Sequence, residues 1–214
     1  MVKRLFFGVL LAGFAIFTLS HAAPTAAAPP SPAVKHAPPQ NIRIPGTDYR
    51  VVVDRREATP PATQPSQALL KAIVTWLSTN FNLPKHYDYP AIKFASERKI
   101  ATFRYTGLVS DRPEDTAMVP PGQRETVASY DPLTRTIILP EGWTGDTPAD
   151  LSMLVHEMVH HLQHAAHMKY ECVPASEELA YAAQDKWLSL FGHDLATDFG
   201  LDGFTLLVAV RCIY

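Results

Sequence analysis

The run His156-Glu157-Met158-Val159-His160 carries the strongest chemical signal in the chain. Two histidines four residues apart on a helix share a face, one turn above the other. Their imidazoles can therefore converge on one zinc ion at about 2.0–2.1 Å. Glu157, beside the first ligand, can reach a water on that ion without binding the metal, which makes it the candidate general base. A catalytic zinc site also needs a third protein ligand and one position open to solvent. His164 and His167 do not qualify. His164 lies two turns beyond His156 on the same helix, about 12 Å in rise, and His167 lies farther still. Glu177 does qualify, because a connector of roughly ten residues before a second helix is enough to reverse the chain and lay the two helices side by side. Glu178 is its rival, one position and about 100° around the helix.

With its continuation Glu177-Glu178-Leu179-Ala180-Tyr181, an E-x-x-A-Y run, the motif resembles the gluzincin branch of the zinc metallopeptidases. There H-E-x-x-H is joined by a Glu from an E-x-x-A/S-D motif. The stretch from Tyr130 to Trp187 is also similar to small exported bacterial proteins of this type, whereas the first 120 residues contribute nothing to the likeness. The resemblance implies zinc ligands His156, His160 and Glu177, a base Glu157, Zn2+ as cofactor and a peptide or protein substrate. It also implies an α+β, zincin-like fold in which a small sheet with an edge strand packs on helices, and the metal helix is followed by a Glu-bearing one. In that family the edge strand precedes the metal helix and aligns an extended peptide by strand addition. Residues Arg135–Pro140 stand in the corresponding place. Tyr181 is a departure: many gluzincins carry there an Asp that orients a ligand histidine through its second ring nitrogen. Either the Tyr181 hydroxyl or another group must take that role. The metzincin pattern does not fit, since Gln163 and Ala166 occupy its Gly and His positions.

Tyr130, Tyr170 and Tyr181 are candidates to donate to a developing oxyanion, with aromatic core packing as the alternative for each. His161 and His164 read as exposed or as neighbours of the ligands. Trp187, on one face with Ala180 and Gln184, reads as packing. No Gly-rich phosphate loop and no G-x-S-x-G elbow occurs. Two other classes fit the same residues: a zinc-stabilised binding module without turnover, and a hydrolase of a non-peptide amide or ester.

The elements that must position these groups follow from local signals. Thr147 is a good N-cap with Pro148 at the first helical position and Asp150 near the capping-box acid position, predicting a helix to about Ala166. A second helix is expected from near Ser176 to Phe191, stopped by Gly192. Upstream, Asp48–Val53 reads as a strand, and Ser66 caps a helix to about Asn80 whose Leu69, Leu70, Ile73, Leu77 and Phe81 form one stripe. Ala91–Phe94 reads as a strand and Ser96–Tyr105 as a helix. Thr126–Tyr130 and Thr134–Pro140 about Asp131-Pro132 read as a hairpin, with Pro140 suited to a strand end or sheet edge. Ser110–Gln123, with three prolines, reads as a long loop. Phe204–Ile213 is expected to pack as a closing helix.

The chain has 214 residues, of which 47% are hydrophobic and 19% charged, enough apolar content for one packed domain. Lys3 and Arg4, an apolar run to Leu19 and the small residues Ser20 and Ala22 describe a secretory signal peptide over 1–22. The run is too short to span a bilayer comfortably, so export without stable membrane insertion is the expectation. Residues 23–45 then read as an Ala/Pro-rich tether, since 12 of the 18 residues from Ala23 to Gln40 are Ala or Pro. The domain is expected over 46–214. Without residues 1–22 the balance is 17 basic against 21 acidic residues, which argues against a nucleic-acid partner. Cys172 and Cys212 are the sole cysteines, and in an exported chain they read as one disulfide.

Overall fold

A computed structural model describes residues 40–53, 62–106 and 128–212. The expected signal peptide, most of the tether and the 110–123 loop lie outside those residues. Chain order is β1 (Gln40–Arg43), β2 (Arg50–Val53), α1 (Gln67–Phe81), β3 (Ala91–Ala95), α2 (Glu97–Thr106), β4 (Ser129–Asp131), β5 (Thr136–Pro140), α3 (Pro148–Ala165), α4 (Val173–Ser189), α5 (Leu195–Phe199) and α6 (Gly203–Ala209). The class is α+β. Strand β1 falls inside the stretch 23–45 expected as tether. It pairs antiparallel with β2, Ile42 opposite Val51, and the following Ile44 is fully buried. Ordered structure therefore starts earlier than position 46, because Ile42 and Ile44 supply apolar anchors that the Ala/Pro composition upstream lacks.

The main sheet has the order β3-β5-β4, with β3 parallel and β4 antiparallel to β5. Here the structure corrects the sequence reading: Arg135–Pro140 contains the central strand, not an edge. All five residues of β5 are buried. Ile137 and Leu139 face the principal core, while Ile138 faces a smaller cluster with Ala95, Ile100 and Phe103. A strand covered on both faces needs apolar residues without alternation, and Thr-Ile-Ile-Leu-Pro is such a run. Pro140 is tolerated as the last residue of the strand, where Glu141 N–H takes over by donating to Ala95 O (3.0 Å). The edge of this sheet nearest the candidate site is β4.

Helix α3 packs on the sheet, and α1 and α4 pack on α3, around Trp76, Trp143 and Trp187, each essentially fully buried; Trp76 and Trp187 meet edge to face with centroids 5.1 Å apart. Trp187 is thus a packing residue, as its face predicted. The start of α3 is fixed tightly. The Thr147 side chain accepts from Asp150 N–H (3.0 Å), and the Asp150 carboxylate accepts from Thr144 N–H and Gly145 N–H. Trp143 Nε1 donates to Asp150 O (2.8 Å). Gly145 adopts φ +77°, and a Cβ there would lie 2.7 Å from the Trp143 ring, so only glycine fits. These bonds set where α3 begins and hence which way each of its histidines points.

Helix α4 starts at Val173, not near Ser176, with Cys172 at the N-cap and proline in its first turn. The closing helix expected over Phe204–Ile213 is α6, which ends at Ala209; Asp202 caps it, its side chain accepting from Thr205 N–H (2.8 Å), and Gly200 at φ +61° separates it from a further short helix, α5. No residue of α6 is buried, and Phe204 is 75% exposed. Apolar composition alone did not secure burial: this seven-residue helix lies at the periphery beside α4, and the disulfide Cys172–Cys212 ties the chain just after it to the N-cap of α4. Among the described residues, no helix is long and apolar enough to cross a membrane.

Candidate metal centre

His156 and His160 project from consecutive turns of α3 with ring centroids 5.0 Å apart. Glu177 enters from the second turn of α4, which packs closely on α3 through the fully buried small residues Ala180 and Ala183. The three donor atoms form a tight triangle. His156 Nε2 lies 3.1 Å from Glu177 Oε2, His160 Nε2 lies 3.4 Å from it, and the two Nε2 atoms are 3.2 Å apart. Four ligands placed tetrahedrally at about 2.0–2.1 Å from a common ion are separated by about 3.3–3.4 Å, so these edges match such a site. These are the three residues among those described whose metal-binding atoms cluster together. Of the two rival carboxylates the structure brings in Glu177; Glu178 is exposed and outside the cluster.

The triangle also demands a positive charge. Burial works to raise the Glu177 pKa, but its contacts with His156 and His160 outweigh that and hold the carboxyl far below the usual carboxylate range. Conversely, burial lowers the His160 pKa, yet Glu177 and then Glu157 overcome it and draw a proton onto the ring. Either a proton or a cation must sit among these acceptors, and the geometry suits a divalent ion.

The remaining ring nitrogens are engaged as well. His156 Nδ1 is 3.0 Å from Gln184 Oε1, and His160 Nδ1 is 3.0 Å from Gln163 Oε1. The orienting role considered for Tyr181 falls to Gln184. Tyr181 instead packs its ring against His156 at 4.8 Å. The sequence reading gave neither glutamine this role. The signal was present, since Gln163 follows His160 by one turn and Gln184 follows Glu177 by two, each on the face of a ligand.

Glu157 is 5% exposed and lines the same open cleft, of about 400 Å³, as the three ligands. Phe103, Ser129, Tyr130, Pro132, His164, Met168, Tyr170 and Val173 complete much of its wall. Tyr130 and Tyr170 thus reach the cleft as candidates, and Tyr181 does not line it. His167 lies in the connector at φ +51°, where α3 has ended, away from the cluster. His161 is fully buried: its Nε2 donates to Asp88 O (2.9 Å), which leaves Nδ1 to accept from the Tyr130 hydroxyl (3.2 Å). Burial pushes its pKa down to about 4. His164 Nδ1 lies 3.5 Å from the same hydroxyl, so both histidines support the cleft wall and neither joins the ligands. Burial foremost also raises the Tyr130 pKa.

The family model described as "Domain of unknown function (DUF6647)" matches residues 62–212, which include every group just named. No curated protein and no solved structure matches the chain.

Proposed function

Because the chain belongs to the DUF6647 family, a membership that carries no activity with it, we propose from the site itself that this is an exported zinc-dependent hydrolase of peptide bonds, a gluzincin-like metallopeptidase with a zincin-like arrangement of its metal helix and Glu-bearing helix. The observation that carries the reading is the donor triangle of His156, His160 and Glu177 with Glu157 beside it in an open cleft. Two imidazoles and one carboxylate suit zinc over calcium or magnesium, which favour all-oxygen sets. A zinc ion held there supplies Lewis-acid polarisation and a water of lowered pKa. The rest of the chemistry belongs to the chain. Glu157, adjacent in sequence to a ligand and on the cleft side of α3, accepts the proton of the attacking water and returns it to the leaving amine. The mostly apolar wall limits bulk water around that carboxylate. Among the described residues no strand pairs with the outer edge of β4, which borders the cleft and offers backbone groups to an extended chain. Open access to the cleft favours turnover over a closed, purely structural ion site. The disulfide supports an oxidising compartment.

Metal analysis of the purified chain, followed by digestion of a mixed peptide library with and without chelator, tests the reading. One zinc per chain and chelator-sensitive cleavage are expected. Glu157→Gln should keep the metal and lose turnover by at least about a hundredfold, the scale of a general base. Full cleavage by that variant, or by the metal-free protein, contradicts the mechanism.

A further inference from the structure

Two chains of hydrogen bonds start from backbone carbonyls, which can only accept, and this fixes the direction of every bond above them. Ser152 Oγ donates to Ala149 O (2.8 Å), so its lone pairs receive Gln184 Nε2 (3.3 Å). That turns Gln184 Oε1 toward His156, and an amide oxygen at 3.0 Å from Nδ1 requires the imidazole proton there. In the second chain Gln163 Nε2 donates to Ser176 O (3.0 Å), so its Oε1 faces His160 Nδ1 and places a proton on that nitrogen too. Both Nε2 atoms are thereby turned toward Glu177 Oε2, 3.1 and 3.4 Å away, where an ion would sit.

Each glutamine also crosses between helices. Gln163 belongs to α3 and holds the backbone of α4 at Ser176, the residue before Glu177. Gln184 belongs to α4 and holds His156 and Ser152 of α3. Both amides are buried, at 4% exposure, so water does not substitute for a lost partner. The first turns of α4 need such a tie, because the buried residues of that helix begin only at Ala180.

We propose that Gln163 and Gln184 are positioning residues: together they fix both ligand imidazoles with the proton on Nδ1 and register the Glu177 turn against α3, so the three-donor site is formed before any ion arrives. The proposal rests on the metal-site reading above. It assigns to neutral amides the orienting task for which carboxylates are commonly used. A neutral acceptor fixes a ring without adding charge to a pocket that already holds Glu157 and Glu177.

The test is zinc affinity, measured on the full chain by competition with a chelator, for the native protein and for Gln163→Leu, Gln184→Leu and Gln184→Glu. Ring nitrogen NMR of the metal-free native protein at alkaline pH is recorded alongside. The leucine variants should bind zinc about 10–100-fold more weakly. Gln184→Glu retains an acceptor for His156 Nδ1 and should recover to within about threefold of the native affinity, which a general packing role would not produce. The NMR should show Nδ1 of both His156 and His160 protonated without metal, with or without a second proton on Nε2. Native protein that takes up no zinc overturns the metal reading itself. Native protein that binds zinc while folded leucine variants match it overturns the brace alone, as do metal-free rings protonated on Nε2 but not on Nδ1. If the leucine variants do not fold, the tautomers of the native rings decide.

Discussion

Acid should destabilise this protein through His161 in a window set by its burial. The ring is 0% exposed, lies between Asp88 O and the Tyr130 hydroxyl, and has His86 at 5.9 Å and Arg135 nearby opposing a second positive charge. Its pKa falls from 6.5 to about 4 on folding, chiefly by burial. A histidine depressed in the native state binds its proton more readily when unfolded. Its stabilising contribution is therefore complete above the unfolded value of 6.5 and is lost as pH falls toward 4. Between pH 7 and pH 5 the loss reaches at most about 2 kcal/mol, and about 1 kcal/mol where cleft water screens the ring. For a chain of this size that is a fall of about 2–8 °C in Tm. His160 acts in the opposite sense: its raised pKa adds stability as pH falls through the folded value toward 6.5, and that contribution is complete below 6.5. The comparison must therefore be made against a variant in which His160 is unchanged. His161→Gln keeps an N–H for Asp88 O and an oxygen for Tyr130 but does not titrate. Melting curves of metal-free native and variant protein at pH 7 and pH 5 isolate the effect. The native chain should lose more stability than the variant over that interval. Parallel losses would show that His161 is not buried neutral and would refute the reasoning.

Removing the anionic ligand should be costly, whereas removing its neighbour should not. Glu177→Gln is expected to weaken zinc at least about tenfold in a chelator competition, while Glu178→Gln, on the exposed side of α4, binds as the native chain does. The disulfide closes a loop with a sequence separation of 40, worth about 4 kcal/mol in the chain-entropy account. Reduction, or Cys172→Ser with Cys212→Ser, should lower the Tm of the metal-free protein by about 8–16 °C. An unchanged melting temperature would mean that α4 and α6 are held by packing and not by the bridge.

Local features of the site were legible because they obey short-range rules. The i, i+4 spacing of His156 and His160 fixes their common face whatever surrounds them, and Thr147 with Pro148 marks the helix start from within four residues. The pairing of Cys172 with Cys212 needed only that both exist in a sequence that reads as exported. Long-range features were less visible. The family likeness, with Pro140 suited to a strand end or edge, points to an edge strand at β5, although its unbroken apolar run signals burial on both faces. The start of α4 is expected near Ser176, but the proline in its first turn lies earlier and Cys172 occupies the cap without a side-chain bond. The apolar tail was expected to pack, and Asp202 restarted the chain as a separate exposed turn of helix instead.

Gln163 and Gln184 mark the boundary between what such rules reach and what they miss. As isolated letters on amphipathic helices they are ordinary polar residues. Their function exists only once α3 and α4 lie together, because each amide bonds to both helices. The same dependence separates the proposed reacting centre from the surface that would choose its substrate. The ligands and the base come from two helices joined by a short connector, so a few adjacent motifs specify them. The cleft wall draws Phe103 from α2, Tyr130 from β4, Met168 and Tyr170 from the connector and Val173 from α4. Four segments must fold against one another before that wall has a shape. Under the proposed function, specificity would therefore be encoded in tertiary packing, where a single sequence is least explicit, while the candidate chemistry is encoded in helical periodicity, where it is most explicit.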